Sequence, residues 1–493
     1  MVYKYQKNDP KIEIQADLAA QFPIYLYLSI NKDYLLYTNS IEALLKHQEV
    51  LLPLELREES ISFLLQSGIV PLPNTVYKNI FIVGIGDNAN IKTLENKIQI
   101  SFSHHFPFKN KNRDTEATIN EEDILNLLAN AAQSKLNKKN PSYLFHSAGK
   151  DSNMIALALA QAGKQDKVTC LTYKSKNEND ESAISKKIAE KLGFKHQILY
   201  QPKSLEAEHI QSIHDYFENV PFPCVDNATL AYPLYNTQVT FQRSNIIDGS
   251  GNDIFIGHVP NKSEYYKQKV LSNFHHFRVI TDKLSSNNKL RNITLSKSEW
   301  AGLSGFSFFD AKKVFHPTQN AYEYWRQMDK ERNDWDYLDL RADIWGSFVE
   351  SDRVIRKARN LAFINNANLI LPWCDAKVAQ YFSTLPEHYL VDRKAFKNKL
   401  LLRKILKDKI ALDSDKLGKK AYAFDFFVIL LSIKKEVLRE VLSCQLWNKR
   451  EIKILIEKLF HNSSSNEKSK ILIQRLYLIS SWYNKNKYIK REQ

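Results

Sequence analysis

The segment Tyr143-Leu-Phe-His-Ser147-Ala148-Gly149-Lys150-Asp151-Ser152 decides the reading of this chain. A short apolar run, Tyr143–Phe145, enters a loop of small residues, and an apolar helix follows up to Ala162. Such a loop points successive backbone N–H groups at one spot, and the dipole of the following helix adds positive potential there. The result is a phosphate cradle. The hydroxyls of Ser147 and Ser152 can donate to phosphate oxygens, and Asp151 can hold Mg²⁺ on the same phosphates. It is not a Walker loop, because no G-x-x-x-x-G-K-[ST] occurs in the chain.

Outward from this loop, strand and helix alternate. Val168–Tyr173 reads as a strand, Glu181–Leu192 as an amphipathic helix, Gln197–Tyr200 as a strand and Ser244–Ile247 as another. That alternation predicts an α/β fold, a parallel sheet with helices on both faces. The last of these strands enters a second glycine loop, Asn245-Ile-Ile-Asp248-Gly249-Ser250-Gly251-Asn252-Asp253-Ile-Phe-Ile-Gly257-His258. Ile254 stands where a dinucleotide fingerprint needs glycine. Asp151 and Asp253, each on a loop after a parallel strand, suit a shared metal site at the carboxyl edge of the sheet. The chain has only 13 glycines, and four of them (Gly149, Gly249, Gly251 and Gly257) fall in these two loops.

On either side the pattern changes. Residues 1–106 alternate short apolar runs with turns, as in Ile24–Ile30, Tyr34–Tyr37, Ile80–Val83 and Ile98–Phe102. They predict a small β-rich α+β domain with a helix near Ser60–Gln66. The charged segment 107–123 reads as a linker ending in a helix start at Asn120–Asp123, so the division is set at 1–115 and 116–493. After about residue 300 helices dominate to the C-terminus, including Tyr322–Asp329, Leu338–Arg359, Ala395–Ile405 and Ile452–Phe460. Ser463–Lys470 reads as a polar loop and Asn484–Gln493 as a frayed basic tail.

Composition narrows the classes. No run of 18 apolar residues occurs and Met1–Pro10 is polar, which predicts a cytoplasmic protein with no membrane partner. Cys170, Cys224, Cys374 and Cys444 are far apart, against a structural zinc site or a disulfide framework. The charge of +15 is diffuse and lysine-rich, heaviest from Lys394 onward, and reads as a solvated basic surface.

The first loop resembles the S-G-G-x-D-S loop of the N-type (PP-loop) ATP pyrophosphatases, with Ala148 for the first glycine and Lys150 at the tolerant, solvent-facing position. The second resembles the S-G-[DE]-G-x-D-E-[LV]-F-x-G-Y segment of asparagine synthetases. Thr172–Glu181 is similar to that family's adenine-side strand and helix start, and Pro221–Asp226 to its P-x-x-D segment lining the substrate cleft. Leu371–Asp375 followed by Leu385-Pro resembles its P-F-L-D and L-P elements. The resemblance implies ATP and Mg²⁺ as cofactors and cleavage between the α and β phosphates. It places ATP and pyrophosphate on Ser147, Ala148, Gly149, Lys150, Asp151, Ser152, Leu171, Thr172, Tyr173, Gly249, Ser250 and Gly251, and the metal on Asp151 and Asp253. It also implies a catalytic lysine, assigned to Lys419 with Lys416 and Lys420 as rivals, which stabilises charge on the adenylate and the tetrahedral intermediate.

The departures shape the function expected. Ser250 stands for the family's acid between the glycines, Ile254 for the acid after the aspartate, and Asn368 and Ile370 for its E-x-R. Tyr34–Leu45 and Glu59–Ile91 resemble only the later part of the family's glutaminase domain, and Val2 stands where its nucleophilic cysteine would be. The expectation is an inactive, truncated glutaminase-like domain joined to a synthetase. That synthetase adenylates a small-molecule or peptide carboxylate and passes it to an amine without hydrolysing glutamine. Lactam or macrolactam closure and sugar-acid amidation are the candidate reactions; the sequence sets neither the substrates nor an oligomeric state. The alternatives are a non-catalytic partner protein on the same fold and a tRNA-modifying PP-loop enzyme. Nucleic acid is not the expected partner, because sulfur-transferring enzymes of the latter kind rely on paired or catalytic cysteines.

Overall fold

The computed structural model describes residues 1–114, 116–174, 180–277, 294–417 and 424–491. The parallel sheet is built from β8 (Ser142–Phe145), β9 (Thr169–Lys174), β10 (Lys195–Tyr200), β11 (Asn245–Ile247) and β12 (Asn368–Ile370) in the numbering that counts seven earlier strands described below. Its order is β10-β9-β8-β11-β12, and every neighbouring pair is parallel. The two glycine loops leave the adjacent central strands β8 and β11, which brings segments a hundred residues apart in sequence to one sheet edge.

Helices cover both faces, because side chains along each strand alternate between them. On one face Leu144, Cys170 and Ile247 pack with helices Glu121–Gln133, Lys150–Gln161 and Ser182–Lys191. On the other, Leu171, Leu199 and Ile246 pack with helices Ala207–Asn219, Ile355–Ile364 and Glu467–Lys485. Helix Glu121–Gln133 starts where the sequence places it: the Asn120 side chain accepts from the N–H groups of Glu122 and Asp123, satisfying two of the free donors of a helix start.

The amino-terminal region is a two-sheet sandwich. One antiparallel sheet has the order β1-β4-β3-β5, from Tyr3–Gln6, Tyr34–Thr38, Ile24–Leu28 and Ile80–Val83. The other is β2-β6-β7, from Ile12–Gln15, Asp87–Leu94 and Lys97–His104. Tyr5, Ile14, Leu26, Leu35, Val83, Ala89, Ile91 and Ile98 fill the space between them. Helix Ile41–Leu45 packs on the first sheet, and Tyr25, Tyr27 and Leu36 of that sheet share one core with helix Glu58–Gln66 and the carboxyl-terminal helices. The connecting segment is anchored: the Arg113 guanidinium donates to the carbonyls of Phe255, Phe382 and Leu385.

Four local expectations are corrected. The helix predicted at Ala395–Ile405 runs instead from Leu400 to Ile410. Residues before it pair as a hairpin, Val391–Asp392 with Lys397–Asn398, and Lys399 turns the chain with a positive φ of 58°. The long helix predicted at Leu338–Arg359 is three successive helical segments from Tyr337 to Ile364, of which Asp343–Val354 is π-helical. The loop predicted at Ser463–Lys470 ends early, because Asn466 caps helix Glu467–Lys485. The tail is docked through residue 491: Ile489 bridges Leu54, and Tyr488 and Ile489 are buried. Strand β12 has no counterpart in the sequence reading. Among the described residues no helix is long and apolar enough to cross a membrane.

Candidate active site

The cradle is held by its own side chains. The Ser147 N–H donates to Ser152 Oγ (3.2 Å) and the Gly149 N–H to Ser147 Oγ (3.0 Å). Buried Asn153 donates to the carbonyls of Ser147 (2.9 Å) and Gly149 (2.6 Å). That fixes its amide oxygen toward His146 Nε2 at 2.9 Å, so the imidazole carries its proton on Nε2. Burial pushes the His146 pKa down to about 4, which keeps the ring neutral. The Ala148 N–H donates to Glu181 Oε2 at 3.1 Å.

The second loop meets the first through Asp151. Asn252 Nδ2 donates to Asp151 Oδ1 at 2.6 Å. The Lys399 ammonium contacts Asp151 Oδ2 (2.6 Å), Asp253 Oδ1 (2.8 Å) and Asn252 Oδ1 (2.9 Å). Burial would lower the Lys399 pKa, but the two carboxylates outweigh it and hold the amine protonated. The Gly251 N–H donates to Glu350 Oε1 at 2.7 Å. Burial, helped by the charge of Asp253, pushes the Glu350 carboxyl up to about 8.

A cavity of about 280 Å³ opens beside the cradle. Ser147, Gly149, Asp151, Ser152, Asp248, Gly249 and Ser250 form its polar wall, and Phe145, Leu171, Tyr173, Leu199, Tyr232 and Tyr235 its apolar wall. Lys357 lines it too and donates to Asp226 Oδ1 at 2.5 Å. Burial would raise the Asp226 carboxyl, and Lys357 and Arg353 hold it low instead.

The residues singled out from sequence are thus distributed as follows. Eight of them, Ser147, Gly149, Asp151, Ser152, Leu171, Tyr173, Gly249 and Ser250, line the cavity. Thr172 does not; it alternates to the other face, where its hydroxyl donates to the His146 carbonyl at 2.8 Å. Ala148 turns its N–H to Glu181 and Gly251 to Glu350. Lys150, expected to face solvent, is partly buried. Lys419 and its rival Lys420 lie outside the described residues, and the third candidate, Lys416, is exposed. Sequence reasoning missed Lys399, Asn252, Glu350 and the aromatic pair Tyr232 and Tyr235. Asn252 adjoins Asp253 and was within reach; Lys399 and Glu350 sit in segments whose charge pattern is that of any exposed helix.

The donor chemistry fits Mg²⁺. Asp151 and Asp253 already converge on one ammonium, so they can converge on one cation, and both offer hard oxygen ligands. Among the described residues no group of three or more His, Cys, Asp or Glu could hold a metal. Two carboxylates completed by phosphate oxygens are the usual protein share of a Mg²⁺–nucleotide site.

A parallel sheet whose carboxyl edge carries a serine–glycine cradle and two converging carboxylates defines a phosphate-handling α/β enzyme. The family model for asparagine synthase matches residues 123–443, from the helix before the cradle through most of the helical region, and the chain belongs to that family. It is a family of ATP-dependent carbon–nitrogen ligases. A comparison with curated proteins found no match.

Proposed function

We propose that this protein uses ATP to convert a substrate carboxylate into an acyl-adenylate, releasing pyrophosphate, and transfers the acyl group to an amine without hydrolysing glutamine. The observation that carries the reading is the convergence of Asp151 and Asp253 on one point at the mouth of the cradle, beside a cavity with an aromatic wall. A carboxylate resists amine attack because oxide is a poor leaving group; AMP is a good one. The N–H groups of the cradle, the hydroxyls of Ser147 and Ser152 and the Lys399 ammonium offset the charge gained by the departing pyrophosphate. Asp151 and Asp253 would hold Mg²⁺, which supplies further charge neutralisation on the phosphates. Tyr173, Tyr232 and Tyr235 offer flat apolar surface to the base or to the acyl group and keep water from the mixed anhydride.

The amine is free ammonia or the substrate's own. Burial pushes the Cys170 thiol up to about 12, and the other three cysteines are buried as well, which supports a reaction without a thiol nucleophile. An intramolecular lactam closure and an amidation of a sugar acid are both compatible with this site. The test is AMP and pyrophosphate release from ATP and Mg²⁺ across a panel of carboxylates, with ammonium or amino-acid amines and an Asp151→Ala blank. Pyrophosphate that requires one carboxylate and vanishes in the blank supports the reading. Products of ADP and phosphate overturn it.

A further inference from the structure

The oxygens that would bind a shared cation are already engaged by a cation of the chain itself. Lys399 Nζ lies 2.6 Å from Asp151 Oδ2 and 2.8 Å from Asp253 Oδ1, and Asn252 Oδ1 accepts from it at 2.9 Å. Only 7% of its side chain is exposed. A divalent metal on the same two oxygens would sit at contact distance from the ammonium, and in a buried site that repulsion is poorly screened. The amine and the metal therefore exclude each other. The cradle shows the complementary arrangement, with the Glu181 carboxylate accepting from the Ala148 N–H at 3.1 Å. Charges of the chain satisfy both halves of the site.

The backbone at Lys399 is fixed while its side chain has four rotatable carbons. The residue sits at φ 58° between the hairpin strand Lys397–Asn398 and helix Leu400–Ile410, and the next N–H, of Leu400, donates to the Leu390 carbonyl at 3.2 Å. Release of the ammonium therefore calls for rotation of the side chain alone, with the backbone held in place.

We infer that Lys399 is an internal counter-cation that reserves Asp151 and Asp253, so that this pair accepts a divalent metal only together with nucleotide phosphates, which take over the displaced ammonium. The inference rests on the ATP-dependent reading above. It makes metal entry conditional on nucleotide, and it assigns Lys399 two successive partners in one catalytic cycle: the carboxylates first and the phosphate oxygens afterwards.

The test uses Mn²⁺ alone, followed by electron paramagnetic resonance, and inorganic pyrophosphate in the presence of saturating Mn²⁺, followed by calorimetry. Wild type is expected to take up Mn²⁺ weakly alone and at least tenfold more tightly with a non-hydrolysable ATP analogue. Lys399→Met is expected to bind Mn²⁺ alone at least tenfold more tightly than wild type and to bind pyrophosphate at least tenfold more weakly. Lys399→Arg keeps the positive charge and stays a poor Mn²⁺ binder, and Lys399→Gln carries the same readouts as Lys399→Met if the latter does not fold. Wild type that binds Mn²⁺ alone as tightly as with nucleotide overturns the inference. So does unchanged pyrophosphate affinity in the neutral variants, the outcome of a lysine that merely joins the two loops. Failure of the ATP analogue to bind would overturn the functional reading instead, while the Mn²⁺-only comparison would still report on the lysine.

Discussion

The Nε2 atom of His104 lies 2.8 Å from Asp343 Oδ1, joining the last strand of the amino-terminal sandwich to the π-helical segment that carries Glu350. The other ring nitrogen lies 2.8 Å from Asp87 Oδ1, and Arg332 donates to Asp343 Oδ2 at 2.8 Å. With a carboxylate on each nitrogen, both positions donate and the ring is an imidazolium. Burial alone would lower its pKa, but Asp343 and then Asp87 raise it to about 9. The amino-terminal sandwich thus holds one end of the helix whose other end closes the site.

His104→Gln is therefore expected to destabilise the protein at neutral pH by about 1.5–3 kcal/mol, the usual worth of a hydrogen bond to a charged group. The sign with pH follows from a raised folded pKa. The stabilisation is complete below the ordinary histidine value of 6.5 and is lost as pH rises through about 9. Denaturant titrations near pH 6 and pH 10 check it: the gap between wild type and variant narrows at the higher pH.

Glu350 gives a dependence of the same sign over a lower pH window. Its carboxyl, moved from 4.5 to about 8, keeps a proton in the folded protein that the unfolded chain has released. Folding stability therefore falls as pH rises between these values. Glu350→Gln preserves the acceptor for the Gly251 N–H and removes the titration. The melting temperature of the variant, measured without nucleotide, is expected to decline less steeply with pH than that of wild type.

Gly251 takes φ 110°, and a Cβ built there would lie 2.2 Å from the Cys374 sulfur. Both the backbone and the space oppose a side chain. Gly251→Ala is expected to cost about 1–3 kcal/mol of stability from strain alone. Pyrophosphate release should drop at least tenfold, read in the same assay at a temperature where the variant is folded.

Asp151 and Asp253 converge on one point and are expected to act as one unit. Asp151→Asn and Asp253→Asn should each lower pyrophosphate release by about two orders of magnitude or more, and the double variant should be little worse than either single one. Multiplying losses in the double variant would mean that the two carboxylates work independently.

Much of the fold was legible because its signals are local. A run of apolar residues, a loop of small ones and an apolar helix announce a parallel strand with a cradle, and β8 and β9 fall within a residue or two of the reading. The three-residue β12 was not legible, since Asn368-Leu-Ile is too short to carry a period and becomes a strand only because β11 offers it an edge. The tail was misread for the reverse reason: its lysines and asparagines are polar, and distant residues such as Leu54 and Phe363 give Tyr488 and Ile489 a surface to bury against.

What the sequence determined by itself is the pair of loops: their glycines, their serines and the carboxylates of Asp151 and Asp253, all set by short-range demands on backbone freedom and phosphate chemistry. What only the tertiary structure decided is which distant charges meet them. Lys399, Glu350 and Glu181 belong to three segments with no common motif, and each becomes part of the site because folding brings it, buried or half-buried, to an opposite charge or a backbone N–H. In a low-dielectric interior such pairing is obligatory, yet the identity of the partner depends on packing that no local pattern encodes.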